Sequence, residues 1–214
     1  MNAITWEEVR RRWFALVREP HREWTWRLLH GLYKENGRKY HTIEHVADCL
    51  SKLDALDDMG GLIDRRVATV ALVWHDAVYV PGSNENEVLS ARLLDALSVC
   101  LEERNLGTHA HSAILATEHR EGYAGAYGNR TVDAVVDIDL SILGEDRGTY
   151  DRYVADVRRE YAHVSDEAWR VGRAGFLRGM IDREVIYSLK QMRERYDGLA
   201  RDNMRAELSG LESR

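Results

Sequence analysis

The run Val70-Ala71-Leu72-Val73-Trp74-His75-Asp76-Ala77 constrains this chain more than any other stretch. Val67, Val70, Ala71 and Trp74 recur at helical spacing, which predicts a helix from about Ile63-Asp64-Arg65-Arg66 to Tyr79, just before Pro81. The apolar run closes on an adjacent His-Asp pair. Burying either side chain without a partner is strongly disfavoured, so the fold must bring something to meet them. Two other places carry suitable chemistry: His41 with His45, and Asp139 within Asp137-Ile138-Asp139-Leu140.

The rest of the chain also reads as helices. Thr5-Trp6-Glu7-Glu8 has the form of a capping box, and the helix after it ends before Pro20. A second helix covers about Arg22 to Tyr33 and breaks at Asn36-Gly37. A third runs from the His41 region to Leu56, with Ile43, Val46, Cys49, Leu50 and Leu53 on its apolar face. Asp57 to Gly61 reads as a turn, and Pro81 to Glu87 as a polar loop that caps the next helix. That helix is expected to stop at Asn105-Leu106-Gly107, with another over about Thr108 to Glu118. Arg120 to Arg130, with three glycines, reads as a flexible loop. Thr131 is expected to cap a short helix ending at Gly144. Two or three more helices fill Asp146 to Tyr196, and Leu199 to Leu211 forms an amphipathic tail. Strand-type runs of Val, Ile and Thr are scarce, so the expected fold is all-α, a bundle of eight to eleven helices.

Length and composition set the remaining bounds. The 214 residues suit one domain over 1–214, with a core at about 38–145 and C-terminal helices at 146–214 packing on it. Such a chain buries roughly 70% of its unfolded surface and needs no disulfide. Cys49 and Cys100 therefore read as small buried hydrophobes. The net charge of −6 is spread among interleaved signs, which disfavours a large nucleic-acid surface. No apolar run approaches the roughly 20 residues of a membrane span. The N-terminus lacks a signal-peptide core, so a cytoplasmic protein is the expectation. The sequence leaves homo-oligomerisation open.

On a helix, His41 and His45 project from one face, about 5–6 Å apart at Cβ. His75 and Asp76 lie about 100° apart around a helix and share a site most easily at its end. Asp139 ends a core-like stretch, and Asp137 is its rival. Each group has a plainer reading: His41 at an exposed helix start, His45 half-buried, His75 and Asp76 satisfying one another. Together, imidazoles and carboxylates without sulfur suit a divalent ion such as Mn, Fe, Co, Ni, Zn or Mg. Such an ion activates water and polarises a phosphoryl oxygen, which makes phosphate-ester hydrolysis the natural chemistry.

The order His45, then His75-Asp76, then Asp139 resembles the H…HD…D pattern of the HD-domain superfamily of metal-dependent phosphohydrolases. The matched span, about 40 to 140, covers roughly half the chain. The blocks Trp74-His75-Asp76, Asn86-Glu87, Ser90-Ala91, Asp139-Leu140-Ser141-Ile142-Leu143-Gly144 and Arg159-Glu160-Tyr161 are similar to an uncharacterised bacterial branch of it. The resemblance implies an all-helical fold with a metal held by His45, His75, Asp76 and Asp139. It favours Asp139 over Asp137 because the family's Asp directly precedes Leu. Tyr40-His41-Thr42-Ile43-Glu44-His45 also resembles the Tyr-His-x-x-x-His block of cyclic-nucleotide phosphodiesterases, although the Asn after the first His is missing. That likeness implies His41 as general acid, with a role as ligand its alternative.

Weaker candidates complete the picture. Asp76 or Glu87 is the expected base. Arg38, Lys39, Asn86 and His119 are the expected contacts to a substrate phosphate, with a second metal as the alternative for His119 and a metal-bound water for Asn86. Arg159 is a further anion-binding candidate. The expected activity is hydrolysis of a small phosphate ester or nucleotide. A nucleotide-binding regulatory domain without turnover is the rival from another class. A purely structural bundle of mutually satisfied His-Asp pairs is the third.

Overall fold

A computed structural model describes residues 4–56, 62–119 and 129–213; the expected turn at 57–61 and most of the expected loop at 120–130 lie outside them. The described residues form ten α-helices and no strand beyond one antiparallel bridge, Val17 with Leu101. The helices are α1 (Trp6–Leu16), α2 (Arg22–Leu32), α3 (Ile43–Ala55), α4 (Arg65–Trp74), α5 (Asn86–Leu97), α6 (Arg104–Ala116), α7 (Arg130–Asp139), α8 (Arg147–Glu160), α9 (Asp166–Ile181) and α10 (Gly198–Glu212). A short helical turn, Lys190–Met192, and a π-turn, Arg193–Asp197, lead into α10.

Helix α4 is the axis of the fold. Asp64 caps it by accepting the N–H groups of Arg66 and Val67, and every residue from Val67 to Trp74 is buried. A helix apolar all round has no face for water, so neighbours cover every side: α1, α3, α6 and α7. One core cluster runs from Val9 to Met204 through these contacts. The C-terminal helices cover the 3₁₀ segment Leu140–Gly144, where Asn203 Nδ2 donates to the carbonyls of Leu143 (3.0 Å) and Glu145 (2.9 Å).

Several local expectations change. Thr5 makes no side-chain cap, and Glu8 pairs with Arg11 and Arg12. Asn129, not Thr131, caps α7, and Thr131 Oγ1 accepts the N–H of Asp64. Asn105-Leu106-Gly107 does not stop a helix but sits in the first turn of α6. The absent side chain of Gly107 lets that turn approach Ser98, whose Cβ would lie 3.1 Å from an added methyl. Helix α4 ends at Trp74, earlier than Tyr79, which leaves His75 and Asp76 on its terminal turn. Gly37, at φ 113°, breaks the chain after α2 as expected. No helix among the described residues is long and apolar enough to cross a membrane.

A candidate metal centre

Three helix ends bring the site together. His45 lies in the first turn of α3, His75 and Asp76 follow α4, and Asp139 ends α7. The two imidazoles meet Nε2 to Nε2 at 3.2 Å. His45 Nε2 is 3.2 Å from Asp139 Oδ1 and 3.6 Å from Asp76 Oδ2. His75 Nε2 is 2.9 Å from Asp76 Oδ2 and 3.4 Å from Asp139 Oδ1. Ligand atoms held roughly 2.0–2.1 Å from one tetrahedral ion lie roughly 3.3 Å from each other, so these separations have the right scale for a shared cation.

The protonation pattern points the same way. His75 Nδ1 lies 3.0 Å from the Leu72 carbonyl, which can only accept, so Nδ1 carries the proton. In the neutral ring, Nε2 is then a lone pair turned toward another nitrogen and two carboxylates. Asp76 Oδ2 is buried and no donor reaches it in hydrogen-bonding geometry. Burial raises the carboxyl pKa of Asp76, but the charge of His75, then of His41, outweighs it and holds the group below the usual carboxylate range. The same balance, with His75 first and then the His119 hydrogen bond, lowers Asp139. For His75, burial opposes protonation, yet Asp76 and Asp139 push the pKa well up. Two anions and the histidines around them thus create a demand for positive charge, which a proton or a metal ion can meet.

His45, His75 and Asp76 form a group that could hold a metal ion, as do His45, Cys49 and Asp139. Both cysteines are buried and free, as expected of small hydrophobes. The Cys49 sulfur lies 3.7 Å from His45 Nε2, one helical turn along α3. Burial, then Asp139, pushes the thiol pKa well up.

His41 does not share a helix face with His45. It precedes the N-cap Thr42, because its backbone is claimed elsewhere. Glu160, at the end of α8, accepts the N–H groups of Lys39 (2.6 Å), Tyr40 (2.8 Å) and His41 (3.0 Å) on Oε1. Its Oε2 meets His41 Nδ1 at 2.7 Å and accepts from Tyr79 Oη at 3.1 Å. The His41 ring stacks on Tyr79 with centroids 4.0 Å apart. Burial opposes its protonation, but Asp76 and Glu160 outweigh burial and raise its pKa. In the sequence Glu160 stands only within the block Arg159-Glu160-Tyr161. Its role has no local signal, since its five donors arrive from residues far away in the chain.

The other expected contacts divide. His119, at φ 54°, places Nε2 2.9 Å from Asp139 Oδ2, and its buried Nδ1 has no hydrogen-bond partner. Glu87 lines the cavity in front of the cluster, and burial raises its carboxyl pKa. Arg38 is a brace and not a phosphate clamp. It is buried against Tyr33 and Tyr79 and donates to the carbonyls of Asp76 (2.6 Å), Ala77 (3.0 Å) and His41 (3.2 Å). Lys39 is exposed and lines a different cleft, beside Asp48 and Lys52. Asn86 spends its amide on the backbone of Val80, so it fixes the loop before α5. Arg159 is exposed and paired with Asp156. Asp137 faces away and accepts the N–H groups of Ser188 (2.8 Å) and Leu189 (2.7 Å); burial lifts its pKa to about 7.

Comparison of this chain with family models, with curated proteins and with solved structures finds no match.

Proposed function

We propose that this chain is a metal-dependent phosphohydrolase of the HD-domain type. The observation that carries the reading is the buried Asp76 Oδ2, without a hydrogen-bond donor, beside the converging Nε2 atoms of His45 and His75. His45, His75, Asp76 and Asp139 would hold the ion. Two imidazoles with two carboxylates are compatible with Mn, Fe, Co, Ni, Zn or Mg. A bound divalent ion supplies a water of lowered pKa and a Lewis acid for a phosphoryl oxygen.

The chain's own residues do the rest. Glu160 holds the proton of His41 on Nδ1 and favours the imidazolium, whose Nε2–H would belong to a residue that lines the cavity. That proton is available to a leaving alkoxide. Glu87 stands on the same wall with a carboxyl shifted toward neutrality, the property of a general base.

The test is elemental analysis of the purified protein, followed by turnover of a broad panel of phosphate esters and nucleotides with each metal. The expected result is a stoichiometric divalent ion that Asp76→Ala abolishes, and product release that His41→Ala slows. No metal in either protein sinks the metal centre. Metal with nucleotide binding but no product would favour a regulatory domain.

A further inference from the structure

Resting on that reading, we propose that the ligand of this site is a phosphate monoester with a flat aromatic body, and that di- and triphosphates are excluded. His41, Glu87, His119 and Asp139 line one side of a cavity of about 390 Å³, a volume typical of small-molecule sites. Asp139 thus joins the polar cluster to this cavity.

The rest of the lining is largely apolar, with aromatic rings set among aliphatic side chains such as Leu140, Ile142 and Val157. Tyr153 comes from α8, Trp169 and Phe176 from α9, and Tyr161 from the turn between them. Tyr161 is held by accepting the Gly82 N–H on its hydroxyl at 3.0 Å, and its ring lies 5.3 Å from that of Trp169. Tyr40 packs 4.7 Å from Tyr153 and 4.7 Å from His45, which links this wall to the polar end. Rings fixed in this way offer large apolar faces at little entropic cost, and they suit a planar ligand.

Charge sets the phosphate count. Among the described lining residues Arg173 is the only lysine or arginine. It is already matched by Glu207, through Nε at 2.8 Å and Nη2 at 3.0 Å, and it donates to Tyr153 Oη at 3.1 Å. Glu87 adds a further carboxylate to the wall. One phosphoryl group can be met at the polar end. A second or third would lie beyond the metal and His41, where the described lining offers no unmatched lysine or arginine, and burying unpaired charge is disfavoured.

The test uses metal-loaded protein with 1-naphthyl phosphate, glycerol 3-phosphate, AMP and ATP. It adds calorimetric binding of 1-naphthylmethylphosphonate, whose C–P bond is not hydrolysed. Stacking leads us to expect kcat/KM about tenfold higher for the naphthyl ester than for glycerol phosphate, and the uncompensated charge of the extra phosphates about a hundredfold higher for AMP than for ATP. Trp169→Ala should weaken phosphonate binding about tenfold and collapse the naphthyl-to-glycerol ratio, with the surface-edge variant Phe176→Ala showing the same direction. Preference for ATP or glycerol phosphate, or phosphonate binding unchanged in both variants, overturns the proposal and leaves the hydrolase reading intact. Phosphonate binding that depends on Trp169, with no ester turned over, supports the ligand class and overturns the hydrolase reading instead.

Discussion

His41 Nδ1 and Glu160 Oε2 lie 2.7 Å apart although 119 residues separate them in the chain. The contact ties the end of α8 to the segment that enters α3. Burial raises the Glu160 pKa, but the His41 hydrogen bond and charge, with the backbone N–H groups, bring it down from 4.5 to about 2. A carboxylate lowered in the folded state stabilises the fold above its unfolded pKa. That contribution is complete above pH 4.5 and is lost as pH falls through about 2. The shift corresponds to about 3 kcal/mol. Glu160→Gln should therefore lower stability at pH 7 by about 2–4 kcal/mol and flatten the dependence between pH 2 and 4.5. Urea unfolding across that range checks it; a variant with the parent's slope would rule the pairing out.

The cluster of His45, His75, Asp76 and Asp139 leads to a linkage experiment. Metal that binds only the folded chain should stabilise it by about 2.7 kcal/mol at a free concentration 100 times its Kd. The melting temperature should rise on adding Mn or Zn, fall on chelation, and respond to neither in Asp76→Ala. Identical melting curves with and without chelator would remove the metal centre.

Arg38 serves the carbonyls of His41, Asp76 and Ala77 from a buried position. Arg38→Met keeps much of the volume but orphans those acceptors, so we expect a loss of about 2–4 kcal/mol. Arg38→Lys should recover little, because one ammonium cannot reproduce the fork. Denaturant midpoints of the two variants make the comparison, and a fully stable Lys variant would contradict it.

Gly144 and Gly107 make a matched pair. A Cβ on Gly144 would lie 2.5 Å from the Tyr196 carbonyl oxygen, which is backbone, whereas one on Gly107 would meet the Ser98 side chain at 3.1 Å. Gly144→Ala should cost about 3 kcal/mol and Gly107→Ala about 1 kcal/mol or less. Because Gly144 follows Asp139 closely, its variant should also weaken metal uptake. Thermal unfolding and a metal titration of the pair test the order; equal effects would refute it.

Much of the fold was legible in the sequence, because helical periodicity is a local property. The run from Val67 to Trp74 announces a helix buried on every side, and α4 is that helix. The polar pair at its end announces a need for partners, and His45 and Asp139 meet it. What periodicity cannot carry is the path of the backbone between helices. His41 was expected on the face of α3, yet Glu160 holds it outside the helix. Arg38 and Asn86 were expected to meet substrate, yet unsatisfied carbonyl and amide groups of distant loops take their donors first. The sequence alone determined which segments are helical and where burial would be costly for His75 and Asp76. Only the tertiary structure decided which polar groups converge on that cost and which are consumed in bracing loops. That choice depends on hydrogen bonds between residues that are neighbours in space and remote in the chain.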